Sequence, residues 1–155
     1  MSGALQDLYS PHGICFGCGP VNDQGLRIKS HPDGDALVCT WTPAPHHQAF
    51  EGVLNGGIIG ALLDCHMNWC ALWSLMRRDG AAKPPLTVTA RYEVKLTRPT
   101  PVDGPIIVRA RAIELVDTRA EIEGTLEARG KVCATASGTF IAVPASHPAH
   151  KHWNP

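Results

Sequence analysis

The chain carries no surplus of charge of either sign. Its 155 residues hold 14 Lys and Arg against 14 Asp and Glu, with no basic stripe. Electrostatic binding to nucleic acid or to an anionic membrane surface is therefore not the default reading. A secretory leader is also missing from view, because "MSGALQDLYS" has neither a charged n-region nor an apolar h-region. The six cysteines lack the spacing of a disulfide framework. Without export, reduced thiols in a cytoplasmic protein are expected. No internal repeat and no sign of a second domain is visible, and this length suits one domain with a real core.

The longest apolar run, Ile58 to Met76, is nearly long enough to span a bilayer but has the wrong content. It includes Asp64, His66, Asn68 and Ser74, and a carboxylate at mid-bilayer costs about 2.5–3.5 kcal/mol on insertion scales. A helix apolar on nearly all sides is otherwise a buried core helix. No membrane partner is expected.

What the sequence does have is a clear order of periodicities. "GLRIKS" and "DALVCTWTP", parted by the turn residues Asp33 and Gly34, predict two short strands. The apolar helix follows and should stop at "RRDG", where Arg77 and Arg78 suit the negative dipole end and Gly80 suits a C-cap. After the linker "AAKPP" only strands remain. In "TVTARYEVKLT", Val88, Ala90, Tyr92, Val94 and Leu96 alternate with Thr87, Thr89, Arg91, Glu93, Lys95 and Thr97, the period of a sheet with one buried face. "RAEIEGTLEAR" repeats this, with Ala120, Ile122, Leu126 and Ala128 on the apolar side. "IIVRARAIELV" alternates and then slips phase near Ile113, as a β-bulge would make it. "KVCATASGTFIAV" is small and mixed, as in a strand flanked on both sides. The short turns "VDTR" and "RGK" make these neighbours antiparallel hairpins, and "RPTPVDGP" connects strands. The expected fold is α+β: an antiparallel sheet of about five to six strands curled around one long central helix. Residues 1–144 form the domain and 145–155 a flexible tail.

The helix opens on "GVLNGGIIGALLD", Gly52 to Asp64, and a carboxylate inside an apolar helix asks for an explanation. This stretch resembles the helix-opening motif of the phenylacetate-type (PaaI-like) acyl-CoA thioesterases, G-[IV]-[LV]-H-G-G-x(6)-[LA]-[DE]. "CFGCGPVNDQGLRI", Cys15 to Ile28, is similar to the Cys-F-x-Cys-G-x-x-N-x-x-G-L opening found in part of that family. The resemblance implies the hotdog fold, a homodimer or tetramer, an acyl-CoA substrate and no cofactor. It also implies that Gly56 offers its backbone N–H to the thioester carbonyl, and that Asp64 of the opposite subunit acts on the same group. Elementary chemistry agrees. A helix N-terminus has free N–H donors and a positive dipole end suited to an oxyanion, and a carboxylate can attack a carbonyl or activate water.

Asn55 stands where the family motif has histidine. As an N-cap its side chain accepts from an N–H two or three positions on, Gly57 or Ile58, and so leaves the Gly56 donor free. Gln48 is a candidate for holding the attacking water or the carboxylate. Gly57 and Asn68 are candidate substrate contacts, Asn68 lying one turn beyond Asp64 on the same face. Arg98, Arg129 and Lys131 are candidates for the CoA phosphates.

His66 lies two residues from Asp64, about 200° round the helix, so no Asp–His pair forms on one face. It reads as a core or interface histidine, and Trp69 and Trp73 read as core or dimer packing. Cys15 and Cys18 have the C-x-x-C spacing of zinc ligands. No second such pair follows, however, and His12 and His31 match no zinc spacing. The turn reads as a tight glycine-rich one with two small buried side chains, and no metal is expected. Two other activities stay open. A hotdog hydratase or dehydratase would need His46 or His47 beside the carboxylate, and a non-catalytic acyl-CoA or small-ligand binding module is compatible with Asn55.

Overall fold

The computed structural model describes residues 3–152. A short helix, α1 (Leu5–Tyr9), leads through an irregular stretch to a hairpin of β1 (His31–Asp33) and β2 (Ala36–Trp41). A two-stranded ribbon follows, β3 (Gln48–Phe50) and β4 (Val53–Leu54). The central helix α2 (Gly56–Asp79) is next, and then four long strands: β5 (Thr87–Leu96), β6 (Ile106–Val116), β7 (Arg119–Ala128) and β8 (Lys131–Ala142). Apart from the ribbon, the strands form one antiparallel six-stranded sheet in the order β1-β2-β6-β7-β8-β5. The sheet packs on α2 through β2 and β5 to β8. This is the α+β hotdog architecture, with β8 flanked on both sides as its small residues led one to expect.

Local chemistry sets both ends of α2. At its start the Asn55 side chain accepts from the Ile58 N–H at 3.1 Å. At its end Gly80 takes φ +61°, a conformation in which a Cβ is costly. From there the Gly80 N–H donates to the Arg77 carbonyl and the Ala81 N–H to the Met76 carbonyl, the paired bonds of a Schellman motif. Between the caps, Leu62, Leu63, Met67, Leu72 and Leu75 are fully buried against Val108, Ala110, Ile122, Leu126 and Phe140 of the sheet. Each such aliphatic side chain contributes roughly 1.5–3 kcal/mol of burial.

A polar clasp ties the N-terminal segment to this core. The Gln6 amide donates to Ser30 Oγ at 2.9 Å, the Ser30 hydroxyl donates to His66 Nδ1 at 2.8 Å, and His66 Nε2–H donates to the Leu37 carbonyl at 3.1 Å. The carbonyl can only accept, which fixes the neutral tautomer of a wholly buried ring. His66 is thus a core histidine.

Three expectations are corrected. "GLRIKS" is not a strand: Arg27 takes φ +52°, outside the extended region, although Leu26, Ile28 and Ser30 are buried. The alternation in β5 does not run through: the register shifts between Thr89 and Arg91. The bulge changes the phase within the strand: before it Thr87 and Thr89 face α2, after it Tyr92 and Leu96 do, and these last two, expected to be buried, stay 44% and 58% exposed beside the open start of the helix. The helix, read as a buried core helix because it is apolar on nearly all sides, is buried mainly in its second half, from His66 to Met76. The slip near Ile113 is present, as a register shift between Ala112 and Glu114.

No helix among the described residues is long and apolar enough to cross a membrane. Past β8 the chain makes a 3-10 turn at Pro148–His152, and residues 153–155 of the expected tail lie outside the described residues.

Candidate active site

The less covered residues in the first half of α2 recur every three or four positions: Gly57, Gly60 and Ala61, Asp64, Asn68. That spacing places them on one stripe. β5 runs antiparallel along it. Leu96 stands beside Gly56, the Tyr92 hydroxyl stands over Gly60, the Thr89 hydroxyl donates to Asp64 Oδ1 at 2.8 Å, and the Thr87 hydroxyl donates to Asn68 Oδ1 at 2.7 Å. Neither threonine was singled out from the sequence, because the alternation had put both on the polar side.

Asp64 lines a cavity of about 450 Å³ between α2, the start of β5 and the Ser10–Pro20 segment. Trp69 and Leu72 supply apolar wall, and Asn68, Thr87 and Thr89 supply polar groups. Burial raises the Asp64 carboxyl above the usual range, the Thr89 hydrogen bond pulls it down, and negative charge on Cys15 adds to the rise. The same cavity is lined by three sulfurs. Cys15 and Cys18 of the turn meet Cys65 of the helix, all three Sγ atoms lying within 4.8 Å of one another. The expectation of two small buried side chains is revised: Cys15 is exposed, Cys18 and Cys65 are half-buried, and the third sulfur comes from a residue that no spacing rule connects to the pair.

The helix N-terminus faces a different cavity, of about 420 Å³, where Gly56 lies among Phe50, Leu54, Leu96, Arg98 and Thr100. Asn55 is held there from both sides of the ribbon. Its N–H donates to the His47 carbonyl, and the Leu54 N–H donates to the Thr100 carbonyl. Because the cap engages the Ile58 amide, those of Gly56 and Gly57 stay directed out of the helix end. Eight residues separate Gly56 from Asp64, about 12 Å along the axis. One carbonyl carbon cannot be reached by both groups of the same chain.

The other candidates fall away from these two cavities. Gln48 spends its amide on its own loop, donating to the Pro45 carbonyl at 2.8 Å and accepting from the Gly52 N–H at 2.6 Å. His47 accepts from the Ala44 N–H at 2.8 Å and stacks on Trp41 and His46. Among the described residues no histidine lines the cavity that holds Asp64. Arg129 pairs with Asp103, and Lys131 is exposed at the start of β8. Trp73 is core, with the Arg77 guanidinium over its ring, whereas Trp69 is both buried and cavity-lining.

Among solved structures the chain is similar to a thioesterase superfamily protein from Shewanella loihica PV-4, at 26% identity over 76% of this chain and 91% of that one, with a TM-score of 0.65. It is also similar to thioesterase HI1161 from Haemophilus influenzae, at 20% identity over 81% and 84% with a TM-score of 0.68. A third likeness is to the E. coli PaaI protein of the phenylacetic acid degradation operon, at 14% identity over 77% and 81% with a TM-score of 0.65. No family profile and no curated protein sequence matches the chain. The chain is a hotdog-fold protein. Within that class it resembles the PaaI-type structures of the thioesterase superfamily.

Proposed function

We propose that this protein hydrolyses an acyl-CoA thioester as a homodimer, or as a tetramer built from such dimers, with Gly56 of one subunit and Asp64 of the other meeting at each site. The observation that carries this reading is the division of the two groups between separate cavities, about 12 Å apart along one helix. The long edge of β5 is unpaired among the described residues, and Phe50, Tyr92 and Leu96 stand exposed beside it and the helix start. An unpaired edge bordered by apolar groups favours association with a second copy.

In the proposed step the thioester oxygen accepts from the Gly56 N–H. Asp64 takes a proton from water as the water oxygen bonds to the carbonyl carbon, or attacks that carbon itself to give a mixed anhydride that water cleaves once the thiolate has left. The C–S bond then breaks, the CoA sulfur leaves as thiolate and takes up a proton, and the carboxylic acid is released. Arg98, beside Gly56, suits a CoA phosphate. Trp69 and Leu72 suit the acyl chain. A hydratase is not favoured, because among the described residues no histidine lines the cavity of Asp64.

The test is complementation. Gly56→Pro removes the donor and adds a ring beside Leu96. Proline is at home at the first helical position, and Asn55, at φ −62° and ψ 134°, already has the extended backbone a residue before proline needs. Against a panel of acyl-CoAs read by CoA release, Gly56→Pro and Asp64→Asn should each lose on the order of 10²-fold or more in kcat. Unfolded together and refolded in equal amounts, they should recover roughly a quarter of wild-type activity, since half the dimers are mixed and each holds one intact site. Wild-type turnover by Asp64→Asn would sink the mechanism. Two dead variants that never complement would sink the shared site.

A further inference from the structure

We infer that Cys15, Cys18 and Cys65 form a three-thiolate zinc site that fastens the Cys15–Gly19 turn to α2, with a fourth coordination position open to the cavity holding Asp64. The inference goes beyond thioester hydrolysis and does not depend on it. Three sulfurs from two distant segments converge within 4.8 Å of one another. The Cys15 and Cys65 Sγ atoms are 3.7 Å apart. Tetrahedral zinc with Zn–S bonds of about 2.3 Å spaces its sulfurs by about 3.8 Å, so the pair already has the separation of two ligands on one ion. The other three cysteines, Cys39, Cys70 and Cys133, are each buried and join no such cluster among the described residues.

The turn is built for this approach. A Cβ at position 17 would overlap the Cys65 sulfur, so only glycine lets the backbone come so close to α2. The Gly19 N–H donates to the Cys15 carbonyl at 2.8 Å, closing the turn. The backbone amides of Cys18 and Gly17 donate toward the Cys15 sulfur. On binding, zinc takes the place of the thiol protons, which leave to solvent. Three protein ligands leave tetrahedral zinc one exchangeable position, and all three cysteines line the cavity. The sequence concealed this because Cys65 stands far along the chain from the pair, in the middle of a helix.

The full chain, purified without a histidine tag or added metal, should hold about one zinc per subunit by plasma mass spectrometry. Exchange with cobalt(II) should give the visible bands of a tetrahedral site and near-ultraviolet thiolate charge-transfer absorption. Cys15→Ser and Cys65→Ser should each lose the zinc and most of that absorption. The cobalt spectrum of the unaltered chain needs no variant, so a misfolded serine variant would not rescue a failed prediction. Protein without zinc that gives no cobalt–thiolate absorption overturns the site. So does a Cys15–Cys65 disulfide in protein purified under nitrogen, or a cobalt spectrum that Cys65→Ser leaves intact.

Discussion

The two halves of α2 obey different rules. From His66 to Met76 nearly every residue is buried, and large side chains fill the space against β6, β7 and β8. From Gly56 to Asp64 the helix carries three glycines, buries Ile59, Leu62 and Leu63 on one side, and is partly open on the other, where β5 presents the exposed Tyr92 and Leu96. The second half stabilises the fold. The first presents an amide end and a carboxylate, on a surface that a second copy would complete. The difference teaches that one continuous helix can be core at one end and site at the other, and that the boundary lies at Asp64 and Cys65.

The contrast can be broken most forcefully at the packed end. Leu75→Ala empties a fully buried position and should destabilise the protein by about 2–5 kcal/mol, on the order of 10 °C in melting temperature for a chain of this size. A loss below about 1 kcal/mol would mean that this end is not close-packed.

Next is pH. Burial depresses the His66 pKa from 6.5 to about 4, with nearby His31 charge acting the same way and the Leu37 hydrogen bond opposing. The folded value lies below the unfolded one, so this stability is complete above the unfolded pKa and is lost as pH falls toward the folded one. The loss should amount to about 3 kcal/mol. Unfolding free energies from urea titrations at about pH 7 down to about pH 4 should fall by that amount, and His66→Gln should flatten the slope.

At the helix start the effects are smaller. Asn55→Ala removes the cap on the Ile58 amide and should cost about 1 kcal/mol. Asn55→His leaves the Gly56 donor in place and should change the hydrolysis rate only modestly; a collapse in kcat would give Asn55 a direct role in the chemistry. The smallest effect sharpens the contrast by its sign. Gly60→Ala puts a methyl in ordinary contact with the Tyr92 hydroxyl, 3.5 Å away, and should stabilise the monomer fold by about 0.5–1 kcal/mol through helix propensity. The same exchange would be destabilising if β5 were packed as tightly as the strands at the other end.

Much of this was legible in the residues. Period-two alternation in β7 places Ala120, Ile122, Leu126 and Ala128 inward because a strand has no other way to sort its side chains. Gly80 ends α2 and Asn55 begins it because caps answer to the local backbone. The stripe from Gly57 through Asp64 to Asn68 follows from helical spacing alone. What tertiary structure decided are the contacts between distant segments. The bulge at Thr89 turns two threonines that alternation had placed outside onto Asp64 and Asn68. Gln48 closes its own loop instead of reaching the carboxylate. Cys65 joins the Cys15 and Cys18 turn across a fold whose connections no spacing encodes. Periodicity and capping are properties of neighbouring residues and survive in one dimension. Which side chain meets which across the molecule depends on strand order, register and one inserted residue, and these exist only once the chain has closed on itself.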